Sequence, residues 1–167
     1  KSTLSCNPQF EHDMPYFRSR GTWGFSTEGT NSWMVTHLNY YVRAKLMWNA
    51  EADVKALVHD YCRKFYADAA DVVEEYIWTL ESAVEQTTSH QTWGRLMQWK
   101  TIFPPVQQKL DYLISQAEEL VQDSRSRKRV QVLRLVHNHM KAYVKMEQFV
   151  AQGQFQVGLE WADKMMA

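Results

Sequence analysis

The sequence predicts a mainly α-helical fold of five or six helices packed as antiparallel neighbours, preceded by one short strand. Two observations carry that prediction. Apolar residues recur at spacings of three and four through most of the chain, the mark of helices with one buried stripe. Gly (6) and Pro (4) make 10 of 167 residues, where average usage gives roughly 20. A sandwich or barrel built wholly of short strands needs more turn-formers than that.

Taken in order, residues 1–15 read as irregular. Asn7-Pro8 is a turn signal, and Met14 precedes Pro15, which disfavours helix there. A short turn or helix covers Tyr16 to Ser19 and ends at Gly21. The run Gly21-Thr-Trp-Gly-Phe-Ser-Thr27 holds good strand formers between glycines. A single strand cannot stand alone, so it is either an extended loop or a strand whose partners lie elsewhere. Glu28 to Ser32 is a loop, and Ser32 can cap a helix reaching Trp48 with Met34, Val35, Leu38, Tyr41, Val42 and Leu46 on one stripe. Asn49 stops that helix and can cap the next, which carries Val54, Leu57, Val58, Tyr61, Cys62 and Phe65. Asp68 is the next cap candidate, opening a helix with Val72, Val73, Tyr76, Ile77, Leu80 and Val84.

Residues 86–105 break the pattern. A short helix around Trp93 to Trp99 is compatible with the sequence, and Phe103-Pro-Pro105 reads as a hard stop, with Pro105 in the first turn of the following helix. That helix carries Val106, Leu110, Leu113, Ile114, Ala117, Leu120 and Val121. Ser124 can cap a long helix from Arg125 to Ala151, whose face is Val130, Leu133, His137, Met140 and Val144. Gly153 breaks it, and a last amphipathic stretch runs from Phe155 to Met166.

Composition excludes several classes. Lys plus Arg is 19 and Asp plus Glu is 19, so no overall field favours nucleic acid. No apolar run approaches the ~18 residues that span a bilayer, and no signal peptide is apparent. The chain opens on Lys1 rather than Met, which points to a piece of something longer. Cys6 and Cys62 can pair, but two cysteines do not reveal a redox compartment.

The stretch from Gly21 to Glu81 holds Gly-Thr-Trp-Gly-Phe-Ser-Thr-Glu-Gly, then Asn39-Tyr-Tyr-Val-Arg-Ala-Lys-Leu-Met-Trp-Asn49, then Asp53, Asp60-Tyr-Cys-Arg-Lys-Phe-Tyr66, Ala69-Ala70 and Tyr76. It resembles a family of large bacterial proteins first catalogued as a domain of unknown function and associated with glycoside hydrolases, including endo-β-N-acetylglucosaminidase-like enzymes. In that family a glycine-flanked strand and a Glu-Gly loop lead into a helix ending Ala-Lys-Leu-Leu-Trp-Asn. Here Lys45, Leu46, Trp48 and Asn49 match, with Met47 for the second leucine. A following helix ends Phe-Tyr-Gly-Ala-Ala; Phe65 and Tyr66 match, but Ala67-Asp68 replaces the glycine. The region from Pro104 to Met146 is similar to the same family's helical tail.

The resemblance implies a fold and an activity. Gly21 to Ser26 is then the last strand of a (β/α)8 barrel and Trp33 to Trp48 its last helix. Residues 1–49 end a TIM-barrel-like domain, and residues 50–167 form a C-terminal helical domain. The parent is a glycoside hydrolase acting on glycans, secreted or periplasmic, with its catalytic pair on earlier strands, so this chain alone is inactive.

Glu28 stands out because it follows the strand and precedes Gly29, and in a barrel the loops after the strands line the active site. Glycoside hydrolysis needs two carboxylates ~5 to 9.5 Å apart; this chain supplies one, which suits a substrate-contacting group. The plain alternative is a surface-loop glutamate. Trp23, Phe25 and Trp33 flank it. Sugar C–H faces pack on aromatic rings, and a large ring gives contact area with few rotors to freeze; the alternative is that these rings fill an interface. Asn31 and Ser32 can donate hydrogen bonds to hydroxyls, or merely shape a loop and a cap. Trp48 ends an apolar face and reads as core.

Other groups point to no site. His137 and His139 are two apart on a helix and cannot share a metal. No metal, cofactor, catalytic-triad or phosphate-loop motif occurs. Arg125-Ser-Arg-Lys-Arg129 reads as a solvated, partly paired helix end. Two other readings stand beside the hydrolase: a self-contained helical protein-interaction module, and a non-catalytic carbohydrate-binding domain.

Overall fold

A computed structural model describes residues 7–26, 33–87 and 99–166. Seven α-helices lie among them: α1 (Asn7–Ser19), α2 (Trp33–Trp48), α3 (Val54–Tyr66), α4 (Ala70–Glu85), α5 (Trp99–Leu120), α6 (Ser124–Ala151) and α7 (Phe155–Met166). A 3-10 turn, Ala67–Ala69, joins α3 to α4. Each helix packs on the next, and α6 also touches α2 and α3. One continuous set of buried side chains runs from Phe10 in α1 to Val144 in α6.

The predicted faces form the core. Val54, Val58, Tyr61 and Cys62 of α3, Val73, Tyr76 and Leu80 of α4, Leu110, Leu113, Ile114 and Ala117 of α5, and Val130, His137, Met140 and Val144 of α6 are all buried. Cys62 is a buried free thiol; Cys6 lies outside the described residues.

Five boundaries differ from expectation, each for a local reason. Helix α1 forms where irregular chain is predicted. Pro8 sits in its first turn, and Pro15 removes one hydrogen bond, a cost of about 3 kcal/mol. Phe10 and Met14, four apart, offset it by burying their side chains. The caps fall beside the expected residues. Asp53, not Asn49, accepts from the N–H groups of Lys55 and Ala56 at 2.8 and 3.1 Å, while Asn49 accepts from Glu51 and shapes the turn. Asp123, not Ser124, caps α6 through the N–H groups of Arg125 and Ser126. Asp68 sits inside the 3-10 turn, and no side chain caps α4. Helix α5 starts at Trp99 and runs through Pro104 and Pro105, because Trp99, Ile102 and Phe103 are drawn into the core. Residues 93–98, where a short helix is expected, lie outside the described residues.

No strand occurs among the described residues. Residues 22–26 carry no regular structure, since strand hydrogen bonds need a partner strand and none is present among them. Trp48, expected in the core, is 93% exposed. It closes α2 on the side away from Leu46 and Val42, which are the buried pair of that turn.

Gly21 (φ +80°) and Gly153 (φ +74°) end α1 and α6 in matching fashion. In each, the N–H after the glycine reaches back five residues, Thr22 to Phe17 O and Gln154 to Phe149 O. Ala67 adopts a positive φ without being glycine (φ +50°, ψ −116°). This is the position at which the resembled family carries glycine. Backbone strain of this kind costs ~1–3 kcal/mol, against ~0.4–1 kcal/mol for the extra freedom glycine gives the unfolded chain. Ala67→Gly is therefore expected to stabilise the fold by about 1 kcal/mol, read as a thermal midpoint ~2–4 °C higher. A lower midpoint contradicts the assignment of strain.

Candidate functional site

Helix α2 is apolar on two sides. Its inner side, with Leu38, Val42 and Leu46, is buried against the bundle. Its outer side carries Trp33 (62% exposed), Met34, Met47 and Trp48. The rings there are ordered by contact. Trp33 stacks on Tyr40, with centroids 5.5 Å apart and planes 12° from parallel. The Arg43 guanidinium lies 6.0 Å from the Tyr40 ring and 4.6 Å from Phe10, so it ties α2 to α1. Trp23 is 99% exposed, and Phe25 packs edge-on against Phe17 at 5.3 Å.

The four predicted site residues fare differently. Trp23 and Trp33 are both exposed to solvent. Glu28 and Asn31, with Ser32, lie outside the described residues.

Beside the α2 rings, helices α2 and α3 join polar tips to aromatic bodies. The Tyr61 hydroxyl and His37 Nδ1 are hydrogen-bonded at 2.6 Å. Tyr41 donates to Asp60 at 3.0 Å, and Asp60 also pairs with Lys64 at 2.7 Å. Lys45 Nζ lies 5.5 Å from the Tyr41 ring. Phe65 stacks on Tyr61 and His37, and the Arg129 guanidinium lies 4.0 Å from the Phe65 centroid.

The Arg125–Arg129 run is structural. Arg129 donates to Phe65 O at 2.8 Å and Arg127 to Val121 O at 3.2 Å. Each cation thus satisfies carbonyls at the end of a neighbouring helix, α3 or α5, where the helix dipole favours it.

A second cluster was not legible as a unit in the sequence. His137, fully buried in α6, bridges α4 and α5. A carboxylate only accepts, so Nε2–H donates to Asp111 at 2.7 Å and Nδ1 accepts from the Tyr76 hydroxyl at 3.0 Å. Lys141 also donates to Asp111 at 2.8 Å. Burial holds His137 below the usual histidine pKa, against the opposing pull of Asp111. Partial burial pushes Asp111 up, but hydrogen bonds from Lys141 and His137 win and leave it below the usual carboxylate range. With His137 fully buried, the chemistry of this cluster is that of a core polar tie. The one sequence signal was a histidine on an apolar helix face.

A third feature is a cleft of about 530 Å³ between α1, α3 and α4, lined by Glu11, Val54, Lys55, Trp78, Glu81, Ser82 and Glu85. Trp78 donates from its indole to Glu74 at 3.3 Å. Among the described residues, no three His, Cys, Asp or Glu side chains converge as a metal site, and no helix is long and apolar enough to cross a membrane.

Residues 5–78 match the model of a family described as a domain of unknown function (DUF4838). The matched stretch runs from ahead of α1 to Trp78 in α4, and so includes both sides of α2. No curated protein and no solved structure matches the chain.

His137 and His37 are both held below the free-histidine value by burial. The folded state therefore binds fewer protons than the unfolded state near pH 6, and stability falls as pH drops below about 6.5. The thermal midpoint is expected to decline from about pH 7.5 to about pH 5, with a shallower slope in His137→Gln. Equal slopes in the two proteins contradict a neutral buried His137.

Proposed function

We propose that this chain is the helical, glycan-binding portion of a glycoside hydrolase, with no catalytic pair of its own. The observation that carries the reading is the outward side of α2, where Trp33 and Trp48 stand in solvent, together with the exposed ring of Trp23 in the segment before it. Rings of this kind pack against sugar C–H faces at low entropic cost. Glu28 and Asn31, which fall between Trp23 and Trp33 in the sequence, supply polar partners for sugar hydroxyls. Residues outside this chain supply the two carboxylates that hydrolysis requires, and the parent acts outside the cytoplasm, secreted or periplasmic.

A second reading has its own support. Apolar residues on both sides of α2, and strand-forming residues at 22–26 without a partner, fit the last helix and last strand of a (β/α)8 barrel. In that case the outward side of α2 rests on the barrel. A self-contained protein-interaction module uses the same surface but binds no sugar.

Titration of this chain with soluble hexasaccharides, neutral (chitohexaose, cellohexaose) and acidic (hexagalacturonate), followed by calorimetry, separates these readings. The proposal expects saturable binding of at least one, weakened about tenfold or more by Trp33→Ala or Trp23→Ala, with no cleavage products. Binding of none contradicts it and leaves the α2 rings as a packing surface.

A further inference from the structure

The glycan-binding reading leaves open how much of a sugar chain the site takes, and the spacing of its rings bears on that. Helix α2 begins at Trp33 and ends at Trp48, and both rings are exposed, by 62% and 93%. At ~1.5 Å per residue from 33 to 48, they stand about 22 Å apart along the helix axis. At ~100° per residue, Tyr40, Ala44 and Met47 fall within about 40° of Trp33 round the helix, and Trp48 within about 60°. His37 shares that sector but turns to Tyr61. None of these residues is Asp, Glu, Lys or Arg, so a chain laid along the sector has no charged side chain beneath it to desolvate. Trp33 and Tyr40 form one platform through their near-parallel stack. Ala44 is exposed between that platform and Trp48, and it raises only a methyl group there. Exposed rings also occur at Tyr112 on α5 and Phe155 on α7. Among the described residues, α2 is the helix with an exposed ring at each end.

Resting on that reading, we infer that the outward side of α2 takes an extended polysaccharide chain, laid along the helix and held at two points, the Trp33–Tyr40 platform and the Trp48 ring. The separation of those points is farther than a disaccharide or trisaccharide reaches and within the span of an extended hexasaccharide. A short sugar therefore covers one platform, whereas a long chain covers both. Once one end of the chain is seated, contact of its other end with the second ring is intramolecular, and affinity rises without any new kind of contact. The rings sit on one helix, so their spacing is fixed before the chain arrives and little freedom is lost on binding. Trp48 thereby acquires a role: it discriminates by chain length.

The test titrates the whole chain with matched trisaccharides and hexasaccharides of the chitin, cellulose and galacturonate series. In any series that binds, the inference expects the hexasaccharide to bind at least about tenfold more tightly than the trisaccharide. Trp48→Ala, a substitution at a 93% exposed ring, is expected to bring the hexasaccharide down to near the trisaccharide while leaving the trisaccharide unchanged. That variant separates a second contact from the statistical advantage of a longer chain, which survives the substitution. Phe155→Ala, at an exposed ring on α7, is expected to change neither. Equal affinity for the two lengths overturns the inference and leaves the glycan reading standing, as does a length preference that persists in Trp48→Ala. Phe155→Ala weakening the hexasaccharide as much as Trp48→Ala also overturns it, because the chain then runs elsewhere. Binding of no sugar of any length overturns both.

Discussion

His137 holds three helices in one register. It is fully buried, and its two ring nitrogens are satisfied by Tyr76 of α4 and Asp111 of α5. Sliding α6 by one residue against α4 or α5 leaves a buried donor or acceptor without its partner, at about 1–3 kcal/mol for each group. Apolar contacts tolerate small shifts; this tie does not. Around it the long face of α6, from Val130 to Val144, closes the core against α5 and offers α2 and α3 their inner support. The direction in which α2 turns its second apolar side follows from that arrangement.

The outward side of α2 is the unusual surface of the molecule. Exposed hydrophobics occur elsewhere too, at Tyr112, Leu135 and, four apart on α7, Phe155 and Leu159. Here they gather on one helix and the segment before it. Trp33 is held by stacking on Tyr40, and Tyr40 lies beside Arg43. A preformed array of rings loses little freedom when it meets a ligand. The cleft between α1, α3 and α4 is concave and lined by three glutamates beside Lys55 and Trp78, whereas the α2 surface is an exposed array of rings. These two surfaces are the rival places for a ligand, and they differ in charge.

Most of the bundle was legible because its helices obey one period. Val54 to Phe65 and Val106 to Val121 name their own buried faces, and the breaks at Asn49 and Gly153 mark real ends. What was missed has local causes. Phe10 and Met14 form a helix across Pro15 because burial outweighs a lost hydrogen bond, and Trp99 to Phe103 do the same ahead of Pro104. Trp48 misled because it continues an apolar pattern that has two sides, and sequence periodicity cannot say which side is covered. The predicted sugar-facing rings Trp23 and Trp33 are both at the surface, but Glu28 and Asn31 lie outside the described residues. The His137 tie was hidden because its members stand far apart in sequence, at 76, 111 and 137. The roles of Arg127 and Arg129 were hidden likewise, since a charge run does not reveal that it points at two helix ends.

The most direct test of the central claim is to watch the tryptophans themselves. In two-dimensional NMR titrations of nitrogen-labelled protein with chitohexaose, cellohexaose and hexagalacturonate in turn, each indole N–H reports its own surroundings. The account predicts that the signals of Trp33 and Trp48 move together and saturate, while those of the buried Trp99 and the cleft-lining Trp78 stay in place. Movement of Trp78 alone puts the ligand in the acidic cleft, and no movement of Trp33 or Trp48 with any glycan contradicts the account.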